Sequence, residues 1–236
     1  MPTIAIVGAG PGLGLSLAKV FGGHGFQVAL VSRSKDKLDA LVAELATAGV
    51  TAAGFPADTA DQAALAGALE QAAAHVGGID VLEFSPYAGL NQVFPHEVTV
   101  DNLRPEIEHL LYGAVTAAQT VLPGMLAAGT GTLLFTTGGG AISPYPMLAA
   151  TNAAHSALRN WVHNLHNILT DQGIYAGTVA INLFIGATPP APGIPHADPD
   201  DIAQAYWALH TQRDKPEHII SRLTTHPPAT IERSSA

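Results

Sequence analysis

The residues best placed to do chemistry lie near the start of the chain. Gly8-Ala9-Gly10-Pro11-Gly12-Leu13-Gly14 follows the apolar run Thr3 to Val7 and leads into a helical stretch from Gly12 to Gly22. Glycines at such a junction let the backbone turn tightly. They also let an anion approach a helix N-terminus, where free amides and the helix dipole face it. The spacing is G-x-x-x-G-x-G over Gly8, Gly12 and Gly14, with Gly10 and Leu13 inside the turn. It is not G-x-G-x-x-G, because position 13 is leucine, and it is not a P-loop, because no Gly-Lys-Ser/Thr follows. A ligand-free tight turn is the plain alternative. The place of the turn, at the first strand–helix junction, favours a dinucleotide diphosphate.

The next strand selects the dinucleotide. Phe26 to Ser32 runs into Arg33-Ser34-Lys35. A carboxylate here would accept hydrogen bonds from a ribose 2′-hydroxyl, but none precedes Asp36. Arg33 with Ser32, Ser34 and Lys35 suits a 2′-phosphate, since guanidinium and hydroxyl donors complement a dianion. The expected cofactor is therefore NADP(H). The alternative is that Arg33 and Lys35 only solvate a helix start.

These groups need a scaffold, and the order of elements supplies one. Short apolar runs (3–7, 26–32, 51–55, 79–84, 132–137, 175–181, 218–220) alternate with helical stretches (12–22, 35–48, 61–74, 100–128, 147–171, 200–211). The stretch 100–128 invites a break near Gly113. Such alternation with apolar strands implies an α/β fold: one doubly wound parallel sheet of about seven strands, Rossmann-like, covered on both faces. No shift in composition divides residues 1–236, so a single domain is expected. Residues 186–199 hold five prolines and read as a loop on the substrate side.

Composition narrows the function. The chain has 236 residues, 47% hydrophobic and 12% charged, enough apolar surface for a sizeable core. Ten basic against nineteen acidic side chains, formally -9, argue against a nucleic-acid partner. The absence of cysteine excludes a disulfide framework, a thiol nucleophile and thiolate metal sites. No basic segment precedes a long apolar run, and glycines or charges interrupt every apolar stretch, so a soluble cytoplasmic protein without a membrane partner is expected. His163 and His166 share helical spacing but have no nearby acidic third ligand, so no metal is expected, and an exposed or subunit-contact face is the better reading. Asp198, Asp200 and Asp201 read as acids at a helix N-terminus.

The glycine spacing, the Ser32-Arg33-Ser34 segment and the element order together resemble the short-chain dehydrogenase/reductase family over roughly residues 3–222. Phe55-Pro56-Ala57-Asp58 looks like the family's third strand end, whose aspartate contacts adenine. Gly77 to Leu82 looks like the lead-in to its fourth strand. The resemblance thus implies Gly8, Gly10, Gly12, Leu13, Gly14, Asp58 and Ser85 as cofactor contacts. It also implies self-association, as a homodimer or homotetramer, through helices near 113–128 and 147–170, where Ala117, Ala118, Ala149, Ala150, Ala153 and Ala154 would allow close approach.

The catalytic positions depart from the family. Its asparagine-rich run after strand four aligns with Phe84-Ser85-Pro86-Tyr87, and its helix-borne asparagine with Leu110. Its serine aligns with Gly138, next to Thr136 and Thr137, and its Tyr-x-x-x-Lys pair with Thr151 and His155. An aliphatic hydroxyl at Thr151 cannot replace a phenol as an acid. His155, four residues on, shares its helix face and can donate to a ribose hydroxyl. Thr137 can polarise a substrate, and Tyr145 lies just beyond the loop that follows strand five; Tyr87 and Tyr112 are weaker candidates. The leading reading is an NADPH-dependent oxidoreductase acting on a small C=O or C=N substrate. A non-catalytic NADP(H)-binding sensor and non-redox chemistry on the same fold remain open beside it.

Overall fold

The computed structural model describes residues 1–87 and 89–221. The first half alternates β1 (Thr3–Val7), α1 (Leu13–Gly23), β2 (Gln27–Ser32), α2 (Lys35–Thr47), β3 (Ala52–Pro56), α3 (Gln62–Val76) and β4 (Val81–Phe84). The second half holds α4 (Val100–Glu106), α5 (Gly113–Ala128), β5 (Gly131–Gly138), α6 (Ala149–Leu169), β6 (Ile174–Ile181), the short strands β7 (Phe184–Ile185) and β8 (His196–Ala197), α7 (Pro199–Gln212) and β9 (Glu217–Ile220). The single domain expected from the sequence runs to residue 236, and its last residues, 222–236, lie outside the described ones.

Seven strands form one sheet in the order β3-β2-β1-β4-β5-β6-β9, every pair parallel. The expected doubly wound sheet is present. Its order reverses between β1 and β4, and such a switch point leaves a crevice at the carboxyl ends of the strands. The strands are apolar because both faces are covered. Ile6, Leu30, Leu134 and Val179 pack against α1, α2 and α7; Val7, Phe84, Leu133 and Phe135 pack against α3, α5 and α6.

Local chemistry sets the helix boundaries. Ser34 caps α2 by accepting from the Lys37 amide, Asp61 caps α3, and Asp198 caps α7 with Pro199 in the first helical position. Asp198, Asp200 and Asp201 thus stand where the helix dipole favours acids. The first turn of α1 has no side-chain cap and no acidic residue.

Three expectations need correction. The 186–199 segment is not wholly loop, because His196–Ala197 pairs with Phe184–Ile185. The break expected near Gly113 is a π-helical turn over Ile107–Tyr112, shortly after Pro105, whose missing N–H weakens the regular ladder. Of the alanines read as a helix-pairing stripe, Ala117, Ala118, Ala150 and Ala154 are buried within the chain, so only Ala149 and Ala153 keep exposed surface. The stretch Val100–Ala128 is long and apolar enough to cross a membrane by length and composition alone. Its α5 side chains Ala114, Ala117, Val121 and Met125 instead cover the sheet.

Candidate active site

The glycine turn joins β1 to α1 at the switch point. Gly8 has φ +95°, and a Cβ there would lie 2.5 Å from the Pro86 backbone, so only glycine lets the turn pass the end of β4. A Cβ on Gly12, by contrast, would meet nothing within 4 Å. An uncapped helix start with open space above it leaves the Leu13 and Gly14 amides available to an anion.

Ser32 and Ser34 flank the end of β2, partly exposed, and Arg33 is exposed. Among the described residues Arg33 makes no ion pair, whereas Lys35 is held by Asp39 at 2.6 Å. The structure thus leaves Arg33 for an anion and gives Lys35 to its own helix. Ser34 Oγ is already engaged as the α2 cap, with its O–H still free to donate. Asp58 lies past β3, with Oδ1 accepting from the Ala60 amide at 3.0 Å. Taken together, these residues fit a phosphorylated dinucleotide across the carboxyl end of the sheet.

The second half of the site is built by β5 and α6. Thr137 occupies the last turn of the β5 pleat, and Thr151 and His155 lie one helical turn apart at the start of α6. The Gly138 amide donates to His155 Nδ1 at 3.2 Å, so the ring proton of the neutral imidazole sits on Nε2. Burial, reinforced by the nearby His109, pushes His155 down to about 4. The ring is therefore neutral at pH 7 and offers a single N–H. The hydroxyls of Thr137 and Thr151 are buried and have no hydrogen-bond partner among the described residues.

His109 joins this group, and the sequence reading missed it. The family's asparagine, three residues before a glycine, aligns with Leu110, but Leu110 is buried hydrocarbon, 5% exposed. The π turn widens the helix there, and His109 is the polar side chain it carries toward the site. His109 Nδ1 pairs with Thr59 Oγ1, while Nε2 is buried without a partner among the described residues. Burial lowers its pKa, Asp58 and Glu106 oppose that shift, and Arg33 adds to it. A polar residue inside Ile107-Glu108-His109-Leu110-Leu111, next to Pro105, was the available signal.

The tyrosine and remaining histidine candidates have other partners or are exposed. The Tyr145 phenol is already tied to Asn182 Oδ1 at 2.7 Å, and its ring is 45% exposed beside Pro144 and Pro146. Asn182 was not foreseen; it leans so close to Gly139 that a Cβ there would lie 2.5 Å from its carboxamide. Tyr87 and Tyr112 are exposed. His163 and His166 are not on an exposed face. His166 Nδ1 lies 2.9 Å from Ala176 O, and His163 faces Glu217 beside the bidentate Arg159–Glu217 pair. No group of three metal-ligating side chains occurs among the described residues.

Comparison with known proteins agrees with this arrangement. The family model for short chain dehydrogenases matches residues 2–186. A fatty acyl-CoA reductase of Mycobacterium tuberculosis is 27% identical over 229 residues, covering 93% of this chain and 76% of its own length. An inactive hydroxysteroid dehydrogenase-like protein 1 of Rattus norvegicus is 25% identical over 223 residues, covering 92% of this chain; the chain spans 64% of that protein's length. The crystal structure of L-sorbose reductase from Gluconobacter frateurii, complexed with NADPH and L-sorbose, superposes with a TM-score of 0.83 at 20% identity, covering 93% of this chain and 94% of that one. The glycine turn, the sheet order and the extent of the family match lead to one conclusion: the chain belongs to the short-chain dehydrogenase family of oxidoreductases.

Proposed function

We propose that the protein is an NADP(H)-dependent reductase that works without the family's tyrosine acid, on a small substrate with a C=N or C=O bond. The observation that carries this reading is the open glycine turn, with free space over Gly12 and the exposed Arg33 guanidinium at the end of β2. The Leu13 and Gly14 amides would hold the diphosphate, Arg33 the 2′-phosphate and His155 Nε2–H the nicotinamide ribose or the substrate. The coenzyme supplies the hydride.

The residues at the reaction end decide which substrates suit. Thr137, Thr151 and neutral His155 donate hydrogen bonds but do not give up a proton readily at pH 7. General acid catalysis contributes about a hundred- to ten-thousand-fold, so a carbonyl substrate would feel its loss strongly. An iminium carries its proton already. Reduction of a C=N bond therefore fits these groups better than reduction of a ketone. A small-molecule substrate bound over β5 and α6, in a homodimer or homotetramer that uses the exposed side of α6 around Ala153, completes the proposal.

The test is NADPH titration by fluorescence, followed by NADPH consumption against cyclic imines and ketones. The expected result is micromolar or tighter binding, with turnover faster on imines. Tight binding without consumption of any substrate would replace this reading with a coenzyme-binding protein that does not turn over. The rat relative bearing the word inactive makes that outcome a specific one.

A further inference from the structure

A buried acid lies beneath the coenzyme cleft, and nothing in the reaction described above uses it. Glu83 sits in the centre of β4, opposite Ile6 of β1 and Leu134 of β5, on the face covered by α1 and α7. It is 0% exposed. Its Oε2 lies 2.9 Å from Ser85 Oγ, and its Oε1 lies 3.0 Å from Thr136 Oγ1. Thr136 in turn lies 2.6 Å from the hydroxyl of Tyr206, a fully buried residue of α7. No cationic side chain pairs with Glu83 among the described residues. A lone carboxylate in such surroundings is costly, and a neutral acid with two hydroxyl partners is not.

The chain of hydroxyls opens at the cleft. The Ser85 amide donates to Val7 O at 2.9 Å, the last residue before the glycine turn. Gly8 packs directly on the Ser85–Pro86 backbone. Ser85 is partly exposed, and its hydroxyl, bonded to Glu83, stands at the strand end beside the switch point.

We infer that Glu83 is a positioning residue for the coenzyme: as a neutral acid it donates to Ser85 and so turns the Ser85 O–H outward as a donor to the bound nucleotide. This rests on the NADP(H) reading above. The hydrogen count supports it. When Tyr206 donates to Thr136 and Thr136 donates to Oε1, the carboxyl proton sits on Oε2 and points at Ser85 Oγ. Ser85 then has its own proton free. When Glu83 is ionised, both carboxylate oxygens accept, Ser85 turns its proton inward, and only lone pairs face an anionic ligand. Burial raises Glu83 to about 8, with the Ser85 and Thr136 hydrogen bonds opposing. Tyr206 is the other titratable group in the chain, and burial keeps it protonated. Asp200, at the head of α7, is engaged by Ser16 of α1 at 2.5 Å. Neither β1 nor β5 turns a charged side chain to this face beside Glu83.

The experiment is NADPH titration of the full chain at pH 7 and pH 9, with Glu83→Gln and Ser85→Ala beside the wild type. The neutral fraction of an acid with a pKa of about 8 falls roughly tenfold over that range, so the wild-type Kd should rise severalfold, by at most about tenfold. In Glu83→Gln the amide donates to Ser85 at every pH, so the rise should vanish while affinity at pH 7 is kept. Ser85→Ala should bind more weakly at pH 7 and show no rise. Difference infrared spectra should show a buried carboxylic-acid C=O band at pH 7 that is missing in Glu83→Gln. A severalfold rise that persists in Glu83→Gln, a flat wild type, or a wild type without that band would each overturn the inference. Binding without the pH dependence removes this inference alone; no NADPH uptake at pH 7 removes the coenzyme reading and this inference together.

Discussion

Thr136 and Thr137 are neighbours on β5, and the pleat sends them to opposite faces of the sheet. Thr136 sits inside a closed chain, with Glu83 on one side and Tyr206 on the other. Thr137 is 1% exposed, and its hydroxyl has no partner among the described residues. The contrast extends to both faces. Toward α1 and α7 the buried polar groups satisfy one another from Ser85 to Tyr206. Toward α5 and α6, Thr137, Thr151 and His109 each hold one unmet buried atom. A satisfied buried network locks a structure. Buried polar groups without a partner are uncommon in a folded chain and call for an explanation. One strand thus carries a hydrogen-bonded hydroxyl and an unpartnered one, a single residue apart.

The largest effect that could break this comparison is expected at His155. His155→Leu removes the acceptor of the Gly138 amide and the imidazole N–H beside it. We expect the turnover number on the best imine to fall about a hundredfold or more, measured by NADPH consumption. An unchanged rate would mean that the unsatisfied face is not where the reaction occurs. The next effect is on stability. Thr136→Val leaves Glu83 Oε1 and the Tyr206 hydroxyl each short of a bond inside the core, at a cost of about 1–3 kcal/mol per group left unpaired. Urea denaturation should show this loss; a neutral result would show that the chain toward α7 is not closed.

The two faces were not equally readable beforehand. The glycine turn, the end of β2 and the succession of strands and helices are local patterns, and each survives in the structure because it depends on runs of consecutive residues. Thr151 and His155 share a helix face as expected, because regular α-helical spacing holds through the first turns of α6. His109 was missed because the family alignment pointed to Leu110, while a π turn at Ile107–Tyr112 sets which side chains face the site. Glu83 was missed for another reason. In Val81-Leu82-Glu83-Phe84 the apolar neighbours define a buried strand, and the lone acid was absorbed into it. Only the tertiary partners Thr136 and Tyr206, far apart in the chain, give that acid a meaning. His163 and His166 were read as surface because β6 and β9, which they pack against, lie outside their own helix.

Buried groups also make stability respond to pH, and the acid and the imidazoles act with opposite signs. Glu83 is raised from 4.5 to about 8, so between those values the native state keeps a proton that the unfolded chain releases. Stability must then fall as pH rises through that window, by at most about 1.4 kcal/mol per pH unit. His155 is lowered from 6.5 to about 4, and His210, buried beside Thr132 and near Arg213, moves the same way. There the native state binds fewer protons than the unfolded chain, so stability falls as pH drops from 6.5 toward 4. Urea midpoints measured from pH 4 to 9 should therefore peak near pH 6 to 7. Glu83→Gln should flatten the alkaline side and leave the acid side in place. An alkaline side that stays steep would assign the proton to another group.

The smallest expected stability change gives the sharpest comparison. Thr137→Val swaps a hydroxyl for a methyl of similar shape at a site where the hydroxyl makes no bond within the chain. Losing an unpaired buried hydroxyl is not a loss for folding, so the urea midpoint should move by no more than about 0.5 kcal/mol, or rise. The same swap one residue earlier, at Thr136, breaks the chain on the other face. Function should respond in the reverse order. If Thr137 bonds to substrate, Thr137→Val forfeits one hydrogen bond, about 0.5–1.5 kcal/mol, so kcat/KM should fall about two- to twelvefold. A stable Thr137→Val protein with undiminished kcat/KM would leave Thr137 an idle hydroxyl and shift the weight of the site to Thr151 and His109.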